Sequence, residues 1–284
     1  MENSSLTRNG SEITLTVKIS AAEVQAAFSR IKQKALREIK LPGFRPGKAP
    51  PELAEKQLNE DALAEELFQE LIPPAYTRAV VENKVNPIIP PQITVKSFQK
   101  ETELVFEAKT AEAPKVLLGD YLRAVRGLRG KIVFGPDGKP LESGEKVTAS
   151  QVLERLREAA KVDLPPALID YEVQRMLSSL VEQVNSLGLT VDQYLSSQGK
   201  KVEELQKEYH DLAERNLKDE FILSQIAREA KITVSEQEIT DAIEAAPDEK
   251  VKEGLRTERG QAYLEDVIRK RKTIEHLLKI AEGS

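Results

Sequence analysis

The chain has 284 residues, 40% apolar, 31% charged and 5% aromatic, with a net charge of −5, 2 Met, no Trp and no Cys. That length leaves room for about two domains with cores of their own, and the apolar share excludes a wholly disordered chain. Absence of cysteine excludes disulfides and thiolate chemistry, no apolar run approaches the ~20 residues of a membrane span, and Met1-Glu2-Asn3-Ser4-Ser5-Leu6 lacks the pattern of a secretory leader, so a cytoplasmic protein with no membrane partner is expected.

Glu12 to Ile19 alternates, with Ile13, Leu15, Val17 and Ile19 on one face and Glu12, Thr14, Thr16 and Lys18 on the other, the pattern of a half-buried strand. Ser20 and Glu23 then form a capping box, and Val24, Phe28, Ile31 and Ala35 mark the apolar stripe of a helix ending near Lys40. Between positions 30 and 48 stand Arg30, Lys32, Lys34, Arg37, Lys40, Arg45 and Lys48 against Glu38 alone, whereas residues 151–284 hold 20 Lys+Arg against 27 Asp+Glu. A basic helix running into a loop points to an acidic or polyanionic partner, unless its cations are simply solvated.

The loop is Leu41-Pro42-Gly43-Phe44-Arg45-Pro46-Gly47-Lys48-Ala49-Pro50-Pro51. Its prolines fix φ and remove donors, so it is a stiff connection rather than helix or central strand. Two readings stand side by side at this point: a connector whose Phe44 folds back into the core, or a presented surface with Phe44 between Arg45 and Lys48. A short helix over Glu52–Leu58 and a long one over Asp61–Asn83 follow, with Leu63, Leu67, Leu71 and Ala75 at helical spacing and a break or kink expected at Pro73-Pro74. Pro87, Pro90 and Pro91 make an extended connection, and Ile93–Val95 with Leu104–Ala108 read as a hairpin turning at Gln99-Lys100-Glu101. Strand, helices and strands sharing one apolar face make a small α+β domain.

Residues 114–148 are punctuated by Gly127, Gly130, Gly135-Pro136-Asp137-Gly138 and Ser143-Gly144, with Ile132-Val133-Phe134 as a candidate strand inside what reads as a linker. From Thr148 the chain is helical. Ile169, Val173, Met176, Leu180, Val184 and Leu187 form one stripe closed by Gly188, Thr190 with Gln193 and Ser235 with Glu238 are capping boxes, and Tyr263 to Leu278 finishes the chain. Several amphipathic helices with short connections predict an extended all-α domain.

Catalytic constellations are missing from this pattern. His210 and His276 lie far apart on charged helical stretches, and no metalloprotease, nucleophile-elbow, Walker or dinucleotide motif occurs. The reading is of a protein that is not an enzyme and needs neither cofactor nor metal.

Gly43-Phe44-Arg45-Pro46-Gly47-Lys48-Ala49-Pro50, placed after the first strand and helix, resembles the ribosome-binding signature G-F-R-x-G-K-x-P of the trigger factor family. Asn86-Pro87, Leu118-Gly119 and Val162-Asp163-Leu164-Pro165-Pro166-Ala167-Leu168-Ile169 are similar to other stretches of that family. The resemblance implies an N-terminal ribosome-binding domain over 1–119 and a helical chaperone domain over 149–284, with a linker over 120–148 where relatives carry an FKBP-like prolyl isomerase domain. It implies an ATP-independent chaperone of nascent and unfolded polypeptides. Gly43, Phe44, Arg45, Pro46, Gly47 and Lys48 would contact a ribosomal protein and rRNA of the large subunit near the exit tunnel. Prolyl isomerase activity is not implied, since 120–148 is too short for that domain and offers only Tyr121 and Phe134 as aromatics. A SurA-like, ribosome-independent holdase and a basic RNA-binding module remain alternatives, and homodimerisation of the free protein stays open.

Overall fold

The computed structural model describes residues 4–39, 50–98, 103–128 and 147–283. Two units divide it: Met1–Ala113 with Pro165–Leu168, and Pro114–Leu164 with Ile169–Ser284. The first is α+β and the second almost wholly helical, as the patterning predicts.

In the first unit, β1 (Ser4–Asn9), β2 (Glu12–Ile19), β3 (Gln92–Ser97) and β4 (Leu104–Ala111) form one antiparallel sheet in the order β1-β2-β4-β3. Register sets Leu15 opposite Ala108 and Val17 opposite Phe106, so alternate residues of both central strands face the same way. Ile13, Leu15, Val17, Ile19, Leu104, Phe106 and Ala108 are buried on that face. Helices α1 (Ala21–Glu38) and α3 (Glu60–Glu82) supply the rest of this core through Val24, Ala27 and Ile31 and through Leu63, Leu67, Ile72, Ala75 and Ala79. Ser20 and Glu23 form the expected capping box at the start of α1.

Two features differ from the sequence reading. Strand β1 pairs with β2 through a turn in which Gly10 has φ +59°, adding an edge strand that the apolar pattern does not announce. And α3 continues through Pro73 and Pro74 as one helix of 23 residues, in place of the expected break or kink. Both prolines are exposed, so the carbonyls of Gln69 and Glu70 that lose their N–H donors lie on the solvent side, where water can satisfy them. The Thr77 hydroxyl donates to the Pro73 carbonyl at 2.9 Å.

The second unit opens with β5 (Val116–Leu117), paired antiparallel with β6 (Lys161–Val162), and with α4 (Tyr121–Arg126). Leu118, Tyr121 and Val125 are buried together with Val152 and Leu156 of α5 (Ala149–Ala159), Ile222, Leu223 and Ile226 of α8 (Val202–Glu229) and Leu277 and Ala281 of α11 (Glu258–Glu282). Residues 120–128 thus contribute to a core, and the Ile132-Val133-Phe134 strand expected further along lies outside the described residues. Arg157 Nη1 donates to both oxygens of Asp219 at 2.8 and 2.6 Å, tying α5 to α8, while burial pushes the Asp219 carboxyl upward against the pull of that guanidinium. Helix α6 (Pro166–Ser186) from Ile169 onward, α7 (Val191–Gln198), α9 (Glu236–Glu244) and α10 (Glu249–Arg256) complete the unit. The predicted boxes at Thr190/Gln193 and Ser235/Glu238 start α7 and α9.

Candidate docking loop and apolar helical tip

Gly43, Phe44, Arg45, Pro46, Gly47 and Lys48 lie outside the described residues, as do the rest of 40–49. What surrounds them is defined. Helix α1 ends at Glu38 with Ile39 as its cap, and the chain returns at Pro50, whose carbonyl accepts from the amides of Leu53 and Ala54 to open α2 (Pro51–Glu55). Both ends of the loop therefore sit on helices, and α1 is packed on α2 and α3. Beside the loop's return, Ala54 is buried while Leu53 is 48% exposed.

The cations leading into the loop are less free than their spacing suggests. Lys34 Nζ donates to Glu66 Oε1 at 2.8 Å, and that hydrogen bond holds its ammonium above the usual lysine range. Lys32 pairs with Glu55 at 3.0 Å, and Arg30 pairs with Glu70. All three carboxylates come from α2 and α3. Among the described residues of the basic run, Arg37 alone has no ion-pair partner. Exposed pairs of this kind contribute roughly 0–1 kcal/mol each, so their weight lies less in stability than in cancelling the local field.

The helical unit offers a different surface. At the far end of α6, Leu180 and Val184 pack with Leu195 of α7 and Leu205 of α8, supported by Tyr194 and Tyr209. Around this small cluster Leu187 is 75% exposed and Leu189 40%, with Val181 and Val202 exposed as well. The stripe predicted along α6 thus splits: Leu180 and Val184 are buried, Ile169, Val173 and Met176 are half-buried, and Leu187 stands in solvent. Gly188, with φ +72°, turns the chain back toward α7. Asp192 of α7 and Glu203, Glu204, Glu208 and Asp211 of α8 stand in the same stretch as Lys200, Lys201 and Lys207, and Lys200 pairs with Glu208 at 2.6 Å.

No group of His, Cys, Asp or Glu among the described residues is arranged to hold a metal ion, and none of the described helices is long and apolar enough to cross a membrane. His210 and His276 are both exposed. A cavity of about 410 Å³ beside α4 and α5 is lined by Asp120, Arg123, Arg155 and Glu158 with Ala124, Gly127 and Ala159. It holds no nucleophile paired with a base, and Arg155 is already bonded to Glu158 at 2.8 Å.

Comparison with known proteins decides the family. The family model described as "Bacterial trigger factor protein (TF)" matches residues 1–126, and that of its C-terminus matches residues 140–279. The chain belongs to the trigger factor family. The two matches leave residues 127–139 between them. A trigger factor from Macrococcus caseolyticus is 37% identical over 114 residues, 40% of this chain and 27% of that protein. One from Carboxydothermus hydrogenoformans is 22% identical across 96% of this chain and 97% of its own length. The matches to the Macrococcus and Staphylococcus epidermidis proteins span about a quarter of those relatives' length. A solved trigger factor structure, described as "Promiscuous Substrate Recognition in Folding and Assembly Activities of the Trigger Factor Chaperone", shares the fold with a TM-score of 0.60 at 14% identity, over 97% of this chain and 99% of that one.

Proposed function

We propose that this protein is an ATP-independent chaperone that docks on the large ribosomal subunit beside the exit tunnel and holds nascent or unfolded polypeptides on its helical unit. The observation that carries the proposal is the octapeptide Gly43–Pro50, which joins two packed helices in a chain of the trigger factor family. Phe44 serves as apolar anchor, Arg45 pairs in a fork with carboxylate or phosphate, and Lys48 acts as a point charge. Gly43, Pro46 and Gly47 shape the loop. Exposed Leu187, Leu189, Val181 and Val202 favour weak and exchangeable contacts with apolar segments. Tethering at the ribosome supplies the effective concentration that such contacts need. The domain scheme 1–119, 120–148 and 149–284, a cytoplasmic location and the absence of catalysis belong to the same reading, which leaves homodimerisation of the free protein open.

The internal pairing of Arg30, Lys32 and Lys34 argues against the RNA-binding alternative, because cations already bonded to Glu70, Glu55 and Glu66 release fewer counterions on a phosphate track. Ribosome co-sedimentation tests the docking claim. Wild type is expected to pellet with ribosomes and the Phe44→Ala/Arg45→Ala/Lys48→Ala variant to remain in the supernatant; equal pelleting would refute the assignment.

A further inference from the structure

Helices α9 and α10 are attached in an unusual way. Among the described residues, α9 buries Ile243 alone and α10 buries none. An eight-residue helix with no buried side chain lacks the packing that normally stabilises so short an element. Both helices nevertheless lie against α11 and against each other.

Ion pairs and hydrogen bonds make the attachment. At the base of α9, Glu238 accepts from Lys272 Nζ of α11 at 2.8 and 3.0 Å, and the same ammonium donates to the Thr233 carbonyl at 2.8 Å. At the other end of α9, Glu244 meets two cations of α10, Arg256 at 3.1 Å and Lys252 at 3.4 Å. Arg256 also pairs with Glu249 at 2.9 Å within α10. Between the helices, Ala245-Ala246-Pro247-Asp248 provides a pivot, Asp248 capping α10 through the Lys250 amide at 2.7 Å. At the far side, α10 turns directly into α11 through Thr257, whose hydroxyl donates to the Gly254 carbonyl at 2.7 Å. Gly260 approaches this turn so closely that a Cβ there would stand 2.3 Å from the Gly254 carbonyl oxygen. The segment is thus tied to α11 by the Glu238–Lys272 pair, while the Glu244 pairs hold α10 to α9 within it.

We propose that residues 235–256 form a strap latched to α11 by the Glu238–Lys272 pair and held together by the Glu244 pairs, which opens as ionic strength rises and uncovers Ile239, Ile243 and Leu255. Packing and ion pairing respond to salt with opposite signs. Added salt screens pairs between exposed charges over a Debye length of about 10 Å at 0.1 M and 3 Å at 1 M, whereas it does not weaken apolar contacts. An element held by packing keeps its protection in salt, and this one loses it. The uncovered residues would enlarge the apolar surface for unfolded chains under the holding function proposed above, but the strap is testable with no client present.

Backbone amide exchange of the whole chain, read by mass spectrometry at 50 mM and 1 M NaCl, makes the test. Amides of 236–256 are expected to exchange about fivefold faster at high salt, referenced to the buried segment 222–227 of α8. The Glu238→Gln/Glu244→Gln variant is expected to exchange fast at both salt concentrations. Salt-independent exchange of 236–256 in the wild type, or acceleration shared in full by α8, would overturn the proposal. The wild-type salt series stands by itself should the variant fold poorly.

Discussion

Gly119 offers the sharpest test of how the helical unit is assembled. It links β5 to α4 with φ +59°, and a Cβ built there would stand 2.6 Å from the carbonyl oxygen of Ala159, the last residue of α5. Alanine in the left-handed region costs about 1–2 kcal/mol from backbone sterics alone. The close contact adds to this because its other atom is main chain. Ala159 cannot yield without shifting the end of α5 and the β5–β6 pairing that begins two residues later, a repacking worth about 1–3 kcal/mol. Gly119→Ala should therefore destabilise the unit by about 2–5 kcal/mol. Gly199, between α7 and α8, is a built-in control: its φ is +64°, and a Cβ there would have no neighbour within 4 Å. Gly199→Ala should cost only the conformational share, about 1–2 kcal/mol. Urea unfolding followed at 222 nm, wild type beside both variants, measures the difference. Costs equal to within about 0.5 kcal/mol would refute the claim that the backbone contact, rather than φ, makes Gly119 necessary.

Two further outcomes follow from the structure. The bonds from Lys272 and from the Ser235 amide hold the Glu238 carboxyl down to about 2 from its ordinary 4.5, so the stability tied to its ionisation is complete above about pH 4.5 and lost as pH falls through about 2. The thermal midpoint of the wild type should accordingly fall across that window more than that of Glu238→Gln, and parallel curves would remove Glu238 from the account. In the helical tip, Leu187→Asp/Leu189→Asp changes two exposed side chains, so thermal stability should stay near wild type while suppression of aggregation of a denatured client falls severalfold; undiminished suppression would move client holding away from this tip.

What could be read from the sequence followed the reach of the interactions. Capping boxes at Ser20, Thr190 and Ser235 need only four consecutive residues, and each starts a helix where expected. The sheet's central strand β2 declared itself by alternation, but β1, with Leu6 as its single large apolar residue, did not; the Asn9-Gly10 pair before β2 was the available hairpin signal. Pro73-Pro74 misled because the cost of proline in a helix depends on whether the orphaned carbonyls reach water, a matter of burial that spacing does not encode. Leu187 continues the periodic stripe of α6 yet stands exposed, since periodicity marks a face and not the neighbour that covers it. Likewise the octapeptide Gly43–Pro50 was legible as a motif of the family, whereas the partners of the cations before it were not, because Glu55, Glu66 and Glu70 follow it in the chain, on α2 and α3.

That pairing changes what the docking reading requires of the loop. Were α1 a free row of cations, any polyanion would attract it, and attachment would be a matter of long-range field with little preference for one site. With Arg30, Lys32 and Lys34 bonded to carboxylates of the same unit, their far field is largely cancelled, and the unpaired cation of α1 nearest the loop is Arg37. Under the proposed docking, discrimination would then fall on short-range contacts that need shape as well as charge, those of the Phe44 ring, the Arg45 guanidinium and the Lys48 ammonium. Such a site would bind by fit at one location, as the proposed tether beside an exit requires, rather than anywhere along a phosphate-rich surface.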